Sequence, residues 1–151
     1  LNKEELKNTI IRKIKEIDNK EYASVVSKLF IIDFYTLNNK TSINDIGSVQ
    51  FVYSSYKSDF VDYAREGIYK QVKSNLDNDR SQDLPEVKSV TIDSIEEIVP
   101  STELKSDDFK NVTDPEAYKV KISWDYTKSN DFQTSATMVI VKDGENFQSQ
   151  N

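Results

Sequence analysis

An α+β domain, with helices first and an antiparallel sheet after them, is the fold class predicted by three features of this chain. Over residues 117–127, Tyr118, Val120, Ile122, Trp124 and Tyr126 alternate with Lys119, Lys121, Ser123, Asp125 and Thr127. Strand side chains point to opposite faces with a period of two, so this is a strand with one large apolar face. That face carries the single Trp, and aromatic side chains bury the most area, so these five residues form the predicted core of the sheet. The first half of the chain instead repeats its apolar residues at spacings of three and four, as helices do. The second half breaks into short apolar runs separated by turn signals, as in a meander.

The elements follow in order. Asn2 with Glu5 three residues on reads as a capping box, opening a first amphipathic helix striped by Leu6, Ile10, Ile14 and Ile17 and ending at Asp18 and Asn19. A second helix is predicted over residues 21–38, with Tyr22, Val25, Val26, Leu29, Phe30, Phe34 and Leu37 at helical spacings. Ile31 and Ile32 widen its apolar arc, which predicts a central helix covered on more than one side. Residues 44–56 read as an ordered loop with a short helix. Ser58 is placed as the cap of a third helix reaching Leu76, striped by Phe60, Ala64, Ile68, Val72 and Leu76.

Residues 77–86 are a polar linker to the sheet half. A strand follows over 87–99, with Val90, Ile92, Ile95 and Ile98 inward and a bulge near Ser94 and Ile95, where the parity of the apolar residues shifts. Residues 101–115 form an acidic loop. The central strand leads through a turn at 128–131 to a strand of Phe132, Ala136, Met138 and Ile140, with Val139 and Val141 on its reverse face. A hairpin turn at Gly144 and a last strand from Phe147 close the chain. The predicted organisation is a single domain over 1–151: an amphipathic, membrane-proximal helix at 1–19, a helical layer at 20–76, the linker at 77–86, and three to four antiparallel strands at 87–151.

Composition narrows the chemistry. The 151 residues contain no Cys and no His and carry a net charge of −6. Thiolate metal sites and Cys or His catalysis are therefore absent, and carboxylate, Tyr or Lys chemistry is what remains. No concentrated basic stripe is present to neutralise phosphates, which argues against direct nucleic-acid binding. Asp77, Asp79, Ser81 and Asp83 alternate like the first ligands of a calcium loop, but Gln82 and Lys88 stand where Gly and Glu are needed. No metal ligand and no cofactor site is assigned. Tyr53, Tyr56, Tyr63 and Tyr69 fall within 17 residues and form the candidate partner surface, because Tyr gives large contact area with a polar end. The abundance of Lys, Asn, Ser, Asp and Ile resembles that of low-GC Gram-positive proteins.

The order of elements, together with Phe34-Tyr35, Asp45-Ile46-Gly47-Ser48-Val49, Ser54-Ser55-Tyr56, residues 118–124 and residues 139–144, resembles the nuclear transport factor 2-like cone fold. Within it, the chain is similar to the soluble domain of the VirB-type inner-membrane scaffold protein of type IV secretion. That resemblance implies a non-enzymatic scaffold of a Gram-positive conjugation machine. Such a domain would sit on the outer face of the cytoplasmic membrane, anchored by a segment upstream of Leu1. It would work through protein partners of the complex and as a homodimer or homotrimer. Two further readings belong to the same fold: a small-molecule-binding envelope lipoprotein, which needs an open apolar pocket, and an isomerase-like enzyme. The last would use an Asp base with a Tyr donor, drawn from Asp33, Tyr35, Asp62 and Tyr63.

Overall fold

The computed structural model describes residues 2–5, 19–104, 117–143 and 146–147. The capping box is formed: the Asn2 N–H donates to Glu5 Oε2 at 3.0 Å and the Glu5 N–H to Asn2 Oδ1 at 2.8 Å. The rest of the predicted first helix, with its Leu6 to Ile17 stripe, lies outside the described residues, as do most of the acidic loop and the turn at Gly144.

The chain is α+β. Helix α1 (Asn19–Tyr35) is followed by two 3-10 turns (Val49–Phe51 and Ser54–Tyr56), helix α2 (Lys57–Glu66) and a further 3-10 turn (Ile68–Gln71). Strand β1 (Val87–Ile98), the short helix α3 (Pro100–Glu103), and strands β2 (Ala117–Tyr126), β3 (Ser135–Asp143) and β4 (Asn146–Phe147) complete it. The strands pair antiparallel in the order β1-β2-β3-β4, a plain meander.

The central strand behaves as its alternation predicts. Val120, Ile122 and Trp124 are buried, Tyr118 and Tyr126 half-buried, and Met138 and Ile140 of β3 lie beside them on the same face. The predicted bulge in β1 falls at Asp93, between the pairs Ile92–Ile122 and Ser94–Lys121, and a second register shift lies at Lys88, between Val87–Tyr126 and Ser89–Asp125. The displaced Asp93 carboxylate accepts the Ser123 hydroxyl at 3.0 Å. Because the bulge resets parity, Ile95 pairs with Val120 on the core face, whereas Ile98 pairs with Ala117 on the reverse face. Ile98 therefore joins Ala117 and Val141 in a small second cluster instead of the main core.

The main core is a row of rings running from the sheet to α2. Trp124 meets Tyr35 at 4.6 Å between centroids, Tyr35 meets Phe34 at 4.9 Å, and Phe34 meets Phe60 at 5.2 Å. Helix α1 lies over the sheet and takes the rings of Tyr35 and Phe34 into this row, while Phe60 comes from α2. Aromatic pairs at such separations add about 0.5–1.5 kcal/mol each beyond the area they bury.

The C-terminus of α1 is where the loops meet. The last carbonyls of a helix have no partner within it. Here the Lys40 ammonium, only 4% exposed, donates to the carbonyls of Asp33 (2.7 Å) and Thr36 (2.9 Å), and the Tyr69 hydroxyl donates to the Phe34 carbonyl (2.6 Å). A cation at this end also complements the negative pole of the helix dipole. The Ser48 hydroxyl donates to the Phe30 carbonyl and its N–H to Asp33 Oδ2, both at 2.7 Å. Ser48 holds a left-handed backbone, φ 65°, to make both bonds.

Several predicted elements differ. The second helix ends at Tyr35, so Leu37 lies beyond it, and residues 100–103 at the start of the acidic loop form a short helix. The third helix stops at Glu66, ten residues before Leu76, and Tyr56 rather than Ser58 precedes its first turn. Gly67 ends it, with its N–H shared between the Tyr63 and Ala64 carbonyls. The 3-10 turn that follows aims Tyr69 into the core, which a continued helix would not do. The polar linker is docked rather than loose. The Arg80 guanidinium donates to the carbonyls of Asn38, Lys40 and Lys73, and the Pro85 carbonyl accepts the N–H groups of Leu37 and Asn38. Phe132 lies in the loop before β3, where its ring meets Tyr126 at 6.3 Å.

Gly47 is the tightest approach. A Cβ there would stand 2.3 Å from the Asp33 carbonyl oxygen, inside any tolerable contact. Gly47→Ala is expected to destabilise the fold by about 3 kcal/mol, the upper range of overpacking. Urea unfolding followed by far-ultraviolet circular dichroism measures it, and a loss under about 1 kcal/mol would show that the loop can retreat from α1.

Candidate functional site

The four candidate tyrosines separate into three environments. Tyr69 has no exposed surface; its hydroxyl accepts the Gly47 N–H at 3.0 Å while donating to Phe34. It is core, and its place in a partner surface is corrected: the break at Gly67 turns it inward. Tyr53 and Tyr56 meet edge-on at 5.6 Å and pack against the cluster of Ile98, Ala117 and Val141. They close the reverse face at one end of the sheet and are half-buried. Tyr63 alone is open to solvent, 79% exposed on α2.

The Asp and Tyr pairs that an isomerase would need do not converge. Asp33 and Tyr35 are two residues apart on a helix and so point to different sides. The Asp33 carboxylate is occupied by the Ser48 N–H and by the Lys40 ammonium at 3.3 Å. Tyr35 points into the ring row. Asp62 pairs with the Arg65 guanidinium at 3.5 Å on the surface of α2.

No group of three or more acidic side chains among the described residues comes together in a metal-holding arrangement. Of the calcium-like run, Asp83 instead pairs with Lys128 at 3.3 Å, both well exposed. Such a pair contributes little, between 0 and about 1 kcal/mol.

An open cleft of about 650 Å³ lies between the 3-10 turn and the loop before β3, lined by Ile68, Gln71 and residues 130–133. A second, of about 320 Å³, lies between the docked linker and the same loop. Its walls include Asn38, Asp83, Pro85 and Lys128. That loop is held by side chains: the Trp124 Nε1–H donates to the Tyr126 hydroxyl at 3.0 Å, which donates to the Gln133 carbonyl.

Sequence reasoning missed the second side of α1. The helix is not covered all round: Tyr22, Val25, Leu29 and Ile32 are 42–48% exposed on the face opposite the core. The apolar residues of α1 encircle most of the helix, and periodicity alone does not say which arc meets the sheet. The spacing of these four, three then four then three, is the signal that could have separated them.

Compared with family models, curated proteins and solved structures, the chain matches none.

Burial pushes the Tyr35 hydroxyl up to about 12, with Tyr126 and Tyr63 adding to the rise. Burial also raises Tyr69 well above its ordinary value, against a lowering by the Gly47 N–H. Unfolded tyrosine titrates near 10. Above that pH the unfolded chain releases protons that the folded chain keeps, so stability is full below about pH 10 and falls as pH rises toward 12. Each of the two removes up to about 1.4 kcal/mol per pH unit in that window. Tyr69→Phe is expected to lower stability at neutral pH by about 1–3 kcal/mol, since the Gly47 N–H loses its acceptor. Burial raises Tyr126 as well, so the same variant should lower the alkaline slope without removing it. Urea unfolding at pH 9 to 11.5 reads both quantities, and an unchanged slope would remove Tyr69 from this account.

Proposed function

We propose that this chain is a non-enzymatic scaffold domain that works through protein–protein contacts, in a nuclear transport factor 2-like arrangement of helices on a curved sheet. The observation that carries the reading is the filled interior. The space between α1, α2 and the sheet, where a ligand or substrate would sit in a cone of this type, is taken by Phe30, Phe34, Tyr35, Phe60, Tyr69 and Trp124. The chemistry-bearing groups nearby are committed to holding backbone. What faces outward is contact surface, including Tyr63 and the apolar row on α1. The machine we assign is a Gram-positive conjugation apparatus of the type IV secretion class, at the outer face of the cytoplasmic membrane. That assignment rests on the likeness in element order and in the stretches around Phe34, Gly47 and Trp124.

Two measurements test this reading. Removing the coding segment for residues 19–147 from a host that carries the machine should abolish plasmid transfer; undiminished transfer would exclude the secretion role. Trp124, 3% exposed, supplies the second readout. Its fluorescence should not respond to apolar probes such as anilinonaphthalene sulfonate while the chain is folded. A saturable response with unchanged circular dichroism would mean that the interior opens to small molecules, favouring the ligand-binding lipoprotein.

A further inference from the structure

The connection between β2 and β3 is longer, and better held, than a hairpin requires. It spans residues 127–134, where two to five residues usually join antiparallel strands. Its own side chains set its shape. The Asn130 side chain accepts the Phe132 N–H at 2.9 Å and donates to the Lys128 carbonyl at 3.1 Å, and the Gln133 side chain donates to the Ser135 carbonyl at 2.6 Å. Tyr126 fastens the Gln133 carbonyl from the strand. A loop pinned in this way presents its groups at fixed positions, as binding loops on rigid scaffolds do. It faces the 3-10 turn Ile68–Gln71 across the cleft of about 650 Å³, a volume within the range of small-molecule sites.

The chemistry of the lining selects the ligand. The Gln71 and Gln133 amide groups each turn an N–H back to the chain, on the Ile68 and Ser135 carbonyls. Among the described residues, nothing donates to their side-chain carbonyls or to the Asp131 carboxylate. Ile68 and Phe132, both partly buried against the main core, supply an apolar wall. No Lys or Arg is among the described residues that line the cleft, and the nearby Lys128 is held by Asp83. The cleft thus offers acceptors, one negative charge and an apolar surface. An alkylammonium has three donors, no acceptor and an apolar stem, which matches all three features. A carboxylate or phosphate would be repelled by Asp131. We infer that this cleft binds a primary ammonium on an alkyl chain, received by Asp131, Gln71 and Gln133, with Ile68 and Phe132 packed against the chain. A free diamine and the Lys side chain of a partner protein share this chemistry. The inference stands apart from the scaffold reading, because the cleft lies outside the packed interior.

Exposure sets the strength. Asp131, Gln71 and Gln133 are all open to solvent, so the attraction acts through water and is screened by salt over about 10 Å at 0.1 M. Binding is therefore weak, and it falls as ionic strength rises.

Calorimetric titration of the full chain with cadaverine, with Nα-acetyl-lysine methylamide and with the uncharged pentanediol tests the inference, and amide shifts in two-dimensional nuclear magnetic resonance locate the site. Both amines should saturate, pentanediol should not, and the shifts should centre on residues 68–71 and 130–133. Asp131→Asn should raise the dissociation constant about tenfold, the lower end for hydrogen bonds between charged groups. Gln71→Glu, which adds a second carboxylate, should lower it about threefold, a gain that a damaged fold cannot imitate. Asp83→Asn removes an exposed carboxylate outside the cleft and should leave binding unchanged. All three side chains face solvent, so the thermal midpoint should stay the same in each variant. Tighter binding of the lysine derivative than of cadaverine assigns the Lys side chain of a partner as the ligand, and the reverse order assigns a free amine. Absence of saturation at tens of millimolar amine overturns the inference, as does equal binding of pentanediol. An equal loss in Asp83→Asn also overturns it, since the amines would then be following the overall negative charge.

Discussion

The unsatisfied carbonyls at the end of α1 are what the helical half is built to answer. A buried ammonium is costly to desolvate unless its protons are all used. Lys40 meets that condition with the Asp33 and Thr36 carbonyls and the Asn39 side chain at 2.8 Å. Tyr69 supplies the remaining donor from 34 residues beyond Tyr35 in the chain, and the Gly47-Ser48 loop fills the gap between them. Each group is both a partner to α1 and the anchor of its own segment. Removing one leaves a carbonyl or an N–H buried and unpaired, at about 1–3 kcal/mol. The same region anchors the start of the sheet, where the Val87 N–H reaches the Thr36 hydroxyl at 3.2 Å.

From that fixed end the aromatic row follows. Phe34 and Tyr35 are held at the last turn of α1, so their rings project in adjacent directions, one toward Phe60 and one toward Trp124. The sheet receives them because β2 and β3 present their apolar residues in matched register, Val120 opposite Met138 and Ile122 opposite Ala136. The bulge at Asp93 lets β1 follow the curve of this layer and then sends Ile98 to the reverse face. One strand thus serves two clusters of unequal size.

A core closed this way has consequences for function. Ionisable groups near the centre are committed to structure, and a substrate would have to displace packed rings to enter. Outward-facing residues are free of that constraint. The apolar row on α1 and the ring of Tyr63 on α2 point away from the core, and changing them leaves the knot at Lys40 and the ring row untouched. Exposed residues of this kind can vary without loss of the fold.

The sequence by itself determined the class of fold, the central strand with its buried face, the capping box at Asn2, and the bulge in β1. These depend on local periodicity, which strands and helix ends impose on their own residues. Only the tertiary structure decided where α2 stops, because Gly67 ends the helix so that Tyr69 can reach a carbonyl 35 residues away. It also decided that the polar segment after Leu76 is docked, since Arg80 finds its carbonyl partners on distant turns. The candidate surface divided for the same reason. Tyr53, Tyr56, Tyr63 and Tyr69 look alike in the chain, and their exposure was set by which helix face and which sheet face were already taken. Likewise the arc of α1 that pairs with the sheet is chosen by the partners of its C-terminus, which leaves the row from Tyr22 to Ile32 facing water.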